Sequence, residues 1–161
     1  MISQSLLPEF DHEMGTTRKY LDRLPEAHAN FKPHDRSMGL APLASHIAEM
    51  AGWVVPTLTL DDLDITGYQP NVKTTRTELL AMFDQNVVAA RAAIEQLEDS
   101  EWMRPWSLKM GGHTAFTMPK IGVVRSMIMN HIIHHRAQLG VYYRLVGVAV
   151  PATYGPSADE K

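Results

Sequence analysis

Cysteine is missing from all 161 residues. That excludes a disulfide, a thiolate metal ligand and a cysteine nucleophile, so any thiol chemistry would need a thiol brought from outside. Clustered basic residues are missing too. The net charge is −3 and no block of Lys or Arg occurs, which argues against nucleic acid as a partner, because phosphate binding needs a basic face. No apolar stretch approaches the 18 or so residues of a membrane span, so no membrane partner is expected. The start, Met1-Ile2-Ser3-Gln4, lacks the basic and apolar regions of a secretion signal. What remains is a chain with 45% hydrophobic and 20% charged residues, a globular profile long enough for one core. A single domain over 1–161 and a cytoplasmic enzyme or binding protein are the expectations. There are no internal repeats.

The stretch with most chemical content is Asn130-His-Ile-Ile-His-His-Arg-Ala-Gln-Leu139. On a helix at about 100° per residue, Val124, Ile128, His131, His135, Leu139, Tyr142 and Val146 share one stripe. That stripe is apolar apart from two imidazoles four residues apart. Side chains at i and i+4 stand about 5–6 Å apart at Cβ on one face, a spacing that lets two nitrogens reach one metal ion. An apolar stripe faces the core, so both rings should point inward. Each could instead be an ordinary core histidine bonded to a carbonyl or carboxylate, but burying a pair of unpartnered imidazoles is costly. His134 lies to the side of the stripe and reads as a supporting or packing residue.

Three other helices are predicted. The first covers about 4–24, with Leu6, Phe10, Met14, Thr17, Leu21 and Leu24 at steps of three and four and Pro25 ending it. A loop with Ser37 as candidate N-cap leads to the second, Leu40–Val54, whose stripe is Leu43, Ile47, Met50 and Val54. His46 lies at the edge of that stripe, the one mid-helix, core-facing histidine outside the fourth helix. With His131 and His135 it makes three imidazoles from two helices. Leu60–Lys73 reads as a solvated connection; a calcium site on Asp61, Asp62 and Asp64 does not fit EF-hand spacing. The third helix, about Thr75–Leu97, opens on the capping box Thr75-x-x-Glu78.

Trp106–Lys109 and Thr114–Thr117 flank Met110-Gly-Gly-His113, the pattern of a short β-hairpin or extended loop, with His113 exposed at its turn. The fourth helix runs from about Pro119 to Gly147. Its far side carries Met129, Ile133 and Tyr143, which predicts burial against a second subunit, a homodimer. The tail Val148–Lys161 should lie extended over the surface. The fold class predicted is all-α, a four-helix bundle with crossover connections plus the hairpin or loop before the last helix.

Several stretches together resemble the DinB family, within the wider DinB/YfiT-like superfamily of metal-binding four-helix bundles. They are Ser37-Met-Gly-Leu40 with His46-Ile-Ala-Glu-Met-Ala-Gly-Trp53, Asn130–Leu139, Val150–Glu160 and the hairpin segment Trp106–Pro119. The resemblance covers nearly the whole chain. It implies an up-up-down-down bundle, a dimer, and one divalent ion, commonly zinc or nickel, on His46, His131 and His135. It also implies either a transferase or isomerase using a low-molecular-weight thiol or a metal-dependent hydrolase. It carries no implication of DNA binding.

Three neutral imidazoles on one ion leave a fourth position open, the pattern of a catalytic rather than a closed structural site. The expected function is therefore metal-dependent activation of an exogenous thiol or water for attack on a small electrophile. The alternative is a non-catalytic dimeric module in which the metal only ties two helices and the protein binds a small molecule or another protein. Glu49, one turn after His46, is the candidate general base; a solvated helix carboxylate is the plainer reading. Gln138 and Tyr142 continue the stripe beyond His135 and could line a pocket or belong to the core. Three nitrogen ligands suit zinc, nickel, copper or iron.

Overall fold

Apolar residues at steps of three and four build four long helical segments, and the computed structural model describes them within residues 1–161. The first, α1 (Ile2–Leu21), buries Leu6, Phe10, Met14, Thr17 and Leu21. It begins at Ile2, whose N–H donates to Asp99 Oδ1 at 2.8 Å, a cap supplied from 97 residues away. The second, α2 (Leu40–Gly52), buries Leu43, Ile47 and Met50. Its first N–H groups do not use Ser37. Leu40 and Ala41 donate to the carbonyls of Phe31 and Ala29, each at 2.9 Å, and Gly39 is the residue before the helix. The apolar stripe predicts a helix running on to Val54, but it breaks at Trp53 and resumes as α3 (Val54–Thr59). Pro56 explains the break: it has no N–H for the Gly52 carbonyl, and its ring crowds that carbonyl.

The third long helix, α4 (Arg76–Gln96), buries Leu79, Phe83, Ala90 and Ile94. Thr75 caps it, accepting from the Glu78 N–H and donating to the Glu78 carboxylate at 2.6 Å. The fourth segment is composite. A short turn, α5 (Lys120–Gly122), passes into a π-helical stretch over Val123–Met129 and then into regular helix α6 (Asn130–Leu145). It closes on a Schellman motif. The Val148 N–H reaches the Tyr143 carbonyl at 2.9 Å and the Gly147 N–H reaches Arg144 at 3.3 Å, with Gly147 at φ +76°. The long helices pack in the cyclic order α1, α4, α2, α6, so α2 and α6 are neighbours.

A small sheet covers one end. Strands β2 (Pro105–Met110) and β3 (His113–Pro119) form the predicted hairpin. Gly111 and Gly112 both have positive φ, the requirement of a two-residue type I′ turn. The connection Leu60–Lys73 is not simply a solvated loop. It contributes β1 (Asp62–Asp64), which pairs in parallel with β2, giving the order β1-β2-β3. Its acidic residues have partners: Asp61 with Arg104 at 3.0 Å, Asp62 with Lys109 at 2.6 Å, and Asp64 with the Thr66 N–H at 2.9 Å.

The back face of α6 does not lack a partner within the chain. Met129 and Tyr143 are buried and Ile133 is half-buried. The Tyr143 hydroxyl donates to the Tyr20 carbonyl at 2.6 Å. With α1 on one side and α2 on the other, both faces of α6 are met inside one molecule. That removes the reason these residues offered for a second subunit.

Arg136 is fully buried between α6 and α1. It pairs with Glu13 at 2.7 Å and donates to the Glu13 carbonyl and Thr17 Oγ1, each at 3.1 Å, and to the Tyr154 hydroxyl at 3.0 Å. Tyr154 in turn donates to the Glu13 carboxylate at 2.9 Å. The tail is fastened along its length, with Asp159 on Arg144 at 2.6 Å and Glu160 on Arg23. Tyr20 also donates to the Pro151 carbonyl at 3.1 Å.

Candidate metal centre

His46 comes from α2, one turn before Met50, and His131 and His135 from the first two turns of α6. The π-helical stretch ends before them, so the i, i+4 pair lies on regular helix and its two rings share a face as the sequence predicts. The three imidazoles meet. Their nearest nitrogens all lie within 4.8 Å of one another, and each ring is half-buried. Nε2 of His46 is 3.4 Å from Nε2 of His131, which is 2.7 Å from Nε2 of His135. Nitrogens about 2.0–2.1 Å from a tetrahedral zinc sit about 3.3 Å apart, close to the first of these distances.

The hydrogen bonds behind the rings decide what faces inward. His135 Nδ1 is 2.7 Å from Gln138 Oε1, and the Gln138 amide nitrogen is 3.0 Å from His134 Nε2. An amide oxygen only accepts, so His135 carries its proton on Nδ1 and its Nε2 is a bare lone pair. The main chain of Met127 acts the other way from burial and raises the proton affinity of His131. Without a cation, a proton on His131 Nε2 meets the His135 lone pair across 2.7 Å; once it is lost, both nitrogens can face one ion. The donor set therefore fits a metal ion, held in the way ligating histidines are usually oriented from behind.

Burial pushes the proton affinity of all three rings down. For His46 the cause is burial first and then the neighbouring His135 and His131, and its pKa falls to about 4. His131 and His135 are lowered by burial first, with smaller effects from their imidazole neighbours. Neutral rings at pH 7 are ready ligands.

The other candidates sit elsewhere. Glu49 is not among the converging groups: its carboxylate accepts from the Tyr68 hydroxyl at 2.8 Å and the Asn71 N–H at 2.9 Å. Together with Ser45, which accepts from the Lys73 N–H at 2.8 Å, it fastens the 65–73 connection to α2. Tyr142 is buried and donates to the Met38 carbonyl at 3.1 Å, a core role. His113 is exposed at the hairpin turn. Gln138 behind the His135 ring carries no ligand pattern in the sequence, although its i, i+3 spacing from His135 is a usable sign.

The DinB family model matches residues 1–161. The chain is 23% identical over 146 residues to the uncharacterized protein YjoA of Bacillus subtilis (strain 168), covering 90% of this chain and 91% of that one. Two solved structures share the fold. A DinB-like protein from Bacillus cereus ATCC 10987 superposes with a TM-score of 0.73 at 22% identity, over 94% of this chain and 97% of that one. A DinB-like protein from Bacillus subtilis, YjoA, superposes at 0.70 with 17% identity, over 95% and 99%.

Proposed function

The chain belongs to the DinB family, and from that premise we propose that it is a metal-dependent enzyme. In this reading His46, His131 and His135 hold one divalent ion, zinc or nickel, and an exogenous thiol or water attacks a small electrophile beside it. The observation that carries the reading is the convergence of three Nε2 atoms, that of His135 left bare by the bond behind its ring.

When bound, such an ion lowers the pKa of a water it takes up to about 7, and acts likewise on a thiol. The chain's own residues do the rest. Gln138 holds His135 in the tautomer that presents Nε2. With no cysteine in the chain and no carboxylate in the cluster, three protein ligands leave a position for the attacking group. Glu49 enters as a positioning residue through Tyr68 and Asn71. The general-base role expected of it is the competing assignment, and Glu49→Gln separates the two. A base lost would abolish turnover, whereas a positioning carboxylate replaced by an amide would leave most of it.

The alternative, a structural ion in a binding module, draws on the fact that the same three rings join α2 to α6. The up-up-down-down order and the homodimer belong to this proposal through the family resemblance. Exposed Val141 and Leu145 on α6 are the surface to test for self-association by sedimentation. The deciding experiment loads the protein with zinc or nickel and verifies one equivalent bound. It then screens cellular thiols against model electrophiles, followed by ester and amide substrates. Turnover that His135→Ala abolishes supports the enzyme. A melting temperature that falls on chelation, with no turnover in any combination, supports the structural ion.

A further inference from the structure

Beside the histidine cluster lies a cavity of about 180 Å³ that ends on His46 and His131. Its walls come from three places. Met50 and Trp53 stand on α2 and its break, Trp106, Leu108 and Phe116 on the hairpin, and Met127 on the π-helical stretch with its neighbours. Apart from the two imidazoles, the lining residues are all apolar. The Trp106 indole N–H is already used on the Pro56 carbonyl at 3.3 Å. Trp53 is braced from outside by an edge-on contact with Tyr68, at 6.1 Å between ring centroids, and Tyr68 is held by Glu49. The π-helical stretch supplies part of the wall, a placement such irregular turns often have at working sites.

An apolar space of this size is matched by a small hydrocarbon. A cavity of about 150 Å³ lined by Leu, Ile and Phe admits benzene. Away from the two imidazoles at its end, nothing in this lining offers a hydrogen bond to an ammonium, a carboxylate or a hydroxyl, so burying one there would go uncompensated. A hydrophilic cellular thiol has no partner in it.

We infer that this cavity binds an uncharged apolar substituent of the electrophilic substrate, of the size of one six-membered ring or a short branched alkyl chain, and sets it beside the three imidazoles. The inference rests on the proposed function for the reacting centre and adds the class of molecule that reaches it. Leu108 and Phe116 are then specificity-determining residues, because the hairpin closes the cavity over the helices.

The test uses the full chain, metal-free and zinc-loaded, with toluene as probe and ligand-observed NMR as readout. Toluene should bind both forms. In the metal-free form, where a carboxylate has no ion to ligate, benzoate should bind at least about 100-fold more weakly. Leu108→Trp, which fills the space, should weaken toluene at least about tenfold. Half-buried Phe116→Ala keeps the fold and should shift preference toward naphthalene. Absence of toluene binding to folded protein, or equal binding by wild type and both variants, overturns the inference. Toluene binding with no zinc held by the three histidines leaves the cavity assigned and the proposed enzyme refuted. Zinc held with toluene excluded does the reverse.

Discussion

Gln138 offers a test of the metal centre that does not touch a ligand. Its Oε1 lies 2.7 Å from His135 Nδ1, and its amide nitrogen reaches His134 at 3.0 Å. Removing it by Gln138→Ala leaves His135 free to rotate and to move its proton to Nε2, the atom that faces the other rings. Losing a partner of this kind typically weakens metal binding 10- to 100-fold, about 1.4–2.7 kcal/mol. Gln138 is exposed, so water can replace part of the lost bond, and the expected loss lies at the lower end, about tenfold. The measurement is zinc competition against a chromophoric chelator at pH 7. Stability of the metal-free variant should stay within about 0.5 kcal/mol of wild type, as for an ordinary surface change. Gln138→Glu keeps an acceptor oxygen and should restore affinity. If Gln138→Ala binds zinc as wild type does, His135 is not held for a metal by this residue and the reasoning about its tautomer is wrong.

Three further outcomes follow from the fold. Arg136→Met should destabilise by about 3–5 kcal/mol in a denaturant titration, since it strands the Glu13 carboxylate in the core; the double change with Glu13→Leu should recover most of that. In the metal-free protein the three histidines have folded-state pKa values below their unfolded value of 6.5. The unfolded chain therefore takes up protons that the folded one refuses, and stability is full above about pH 6.5 and falls as the pH drops toward 4. His46→Gln should flatten that slope, and an unchanged slope would contradict it. Gly147→Ala should cost about 1 kcal/mol, because φ there is +76° in the turn that ends α6, and thermal melts would show it.

What could be read from residues alone was periodic. The steps of three and four in α1 and α4 and the four-residue spacing of His131 and His135 are local patterns, and regular helix turns them into faces without outside help. The glycine pair at 111 and 112 marked its hairpin for the same reason. What could not be read depended on distant partners. Asp99 caps α1 from 97 residues away, and β1 is a strand only because β2 lies beside it. The π-helical turns over Val123–Met129 leave the apolar pattern intact and so gave no sign. Met129 and Tyr143 looked like a subunit interface because α1 and the tail, which cover that side, are far off in the chain. Pro56 is different: the steric rule alone places a break one turn before it, although the apolar stripe continues to Val54. His46 needed its partners to distinguish it from a core histidine, and the family resemblance selected the same three rings.

Arg136 follows His135 directly and points about 100° further round the helix, toward Glu13 and Tyr154. A disturbance that pries Tyr154 from its seat would let the helix roll, carrying two of the three imidazoles with it. The closing stretch of the chain thus has leverage over the centre without touching it, and a nick after Val150 should be felt as a looser grip on zinc.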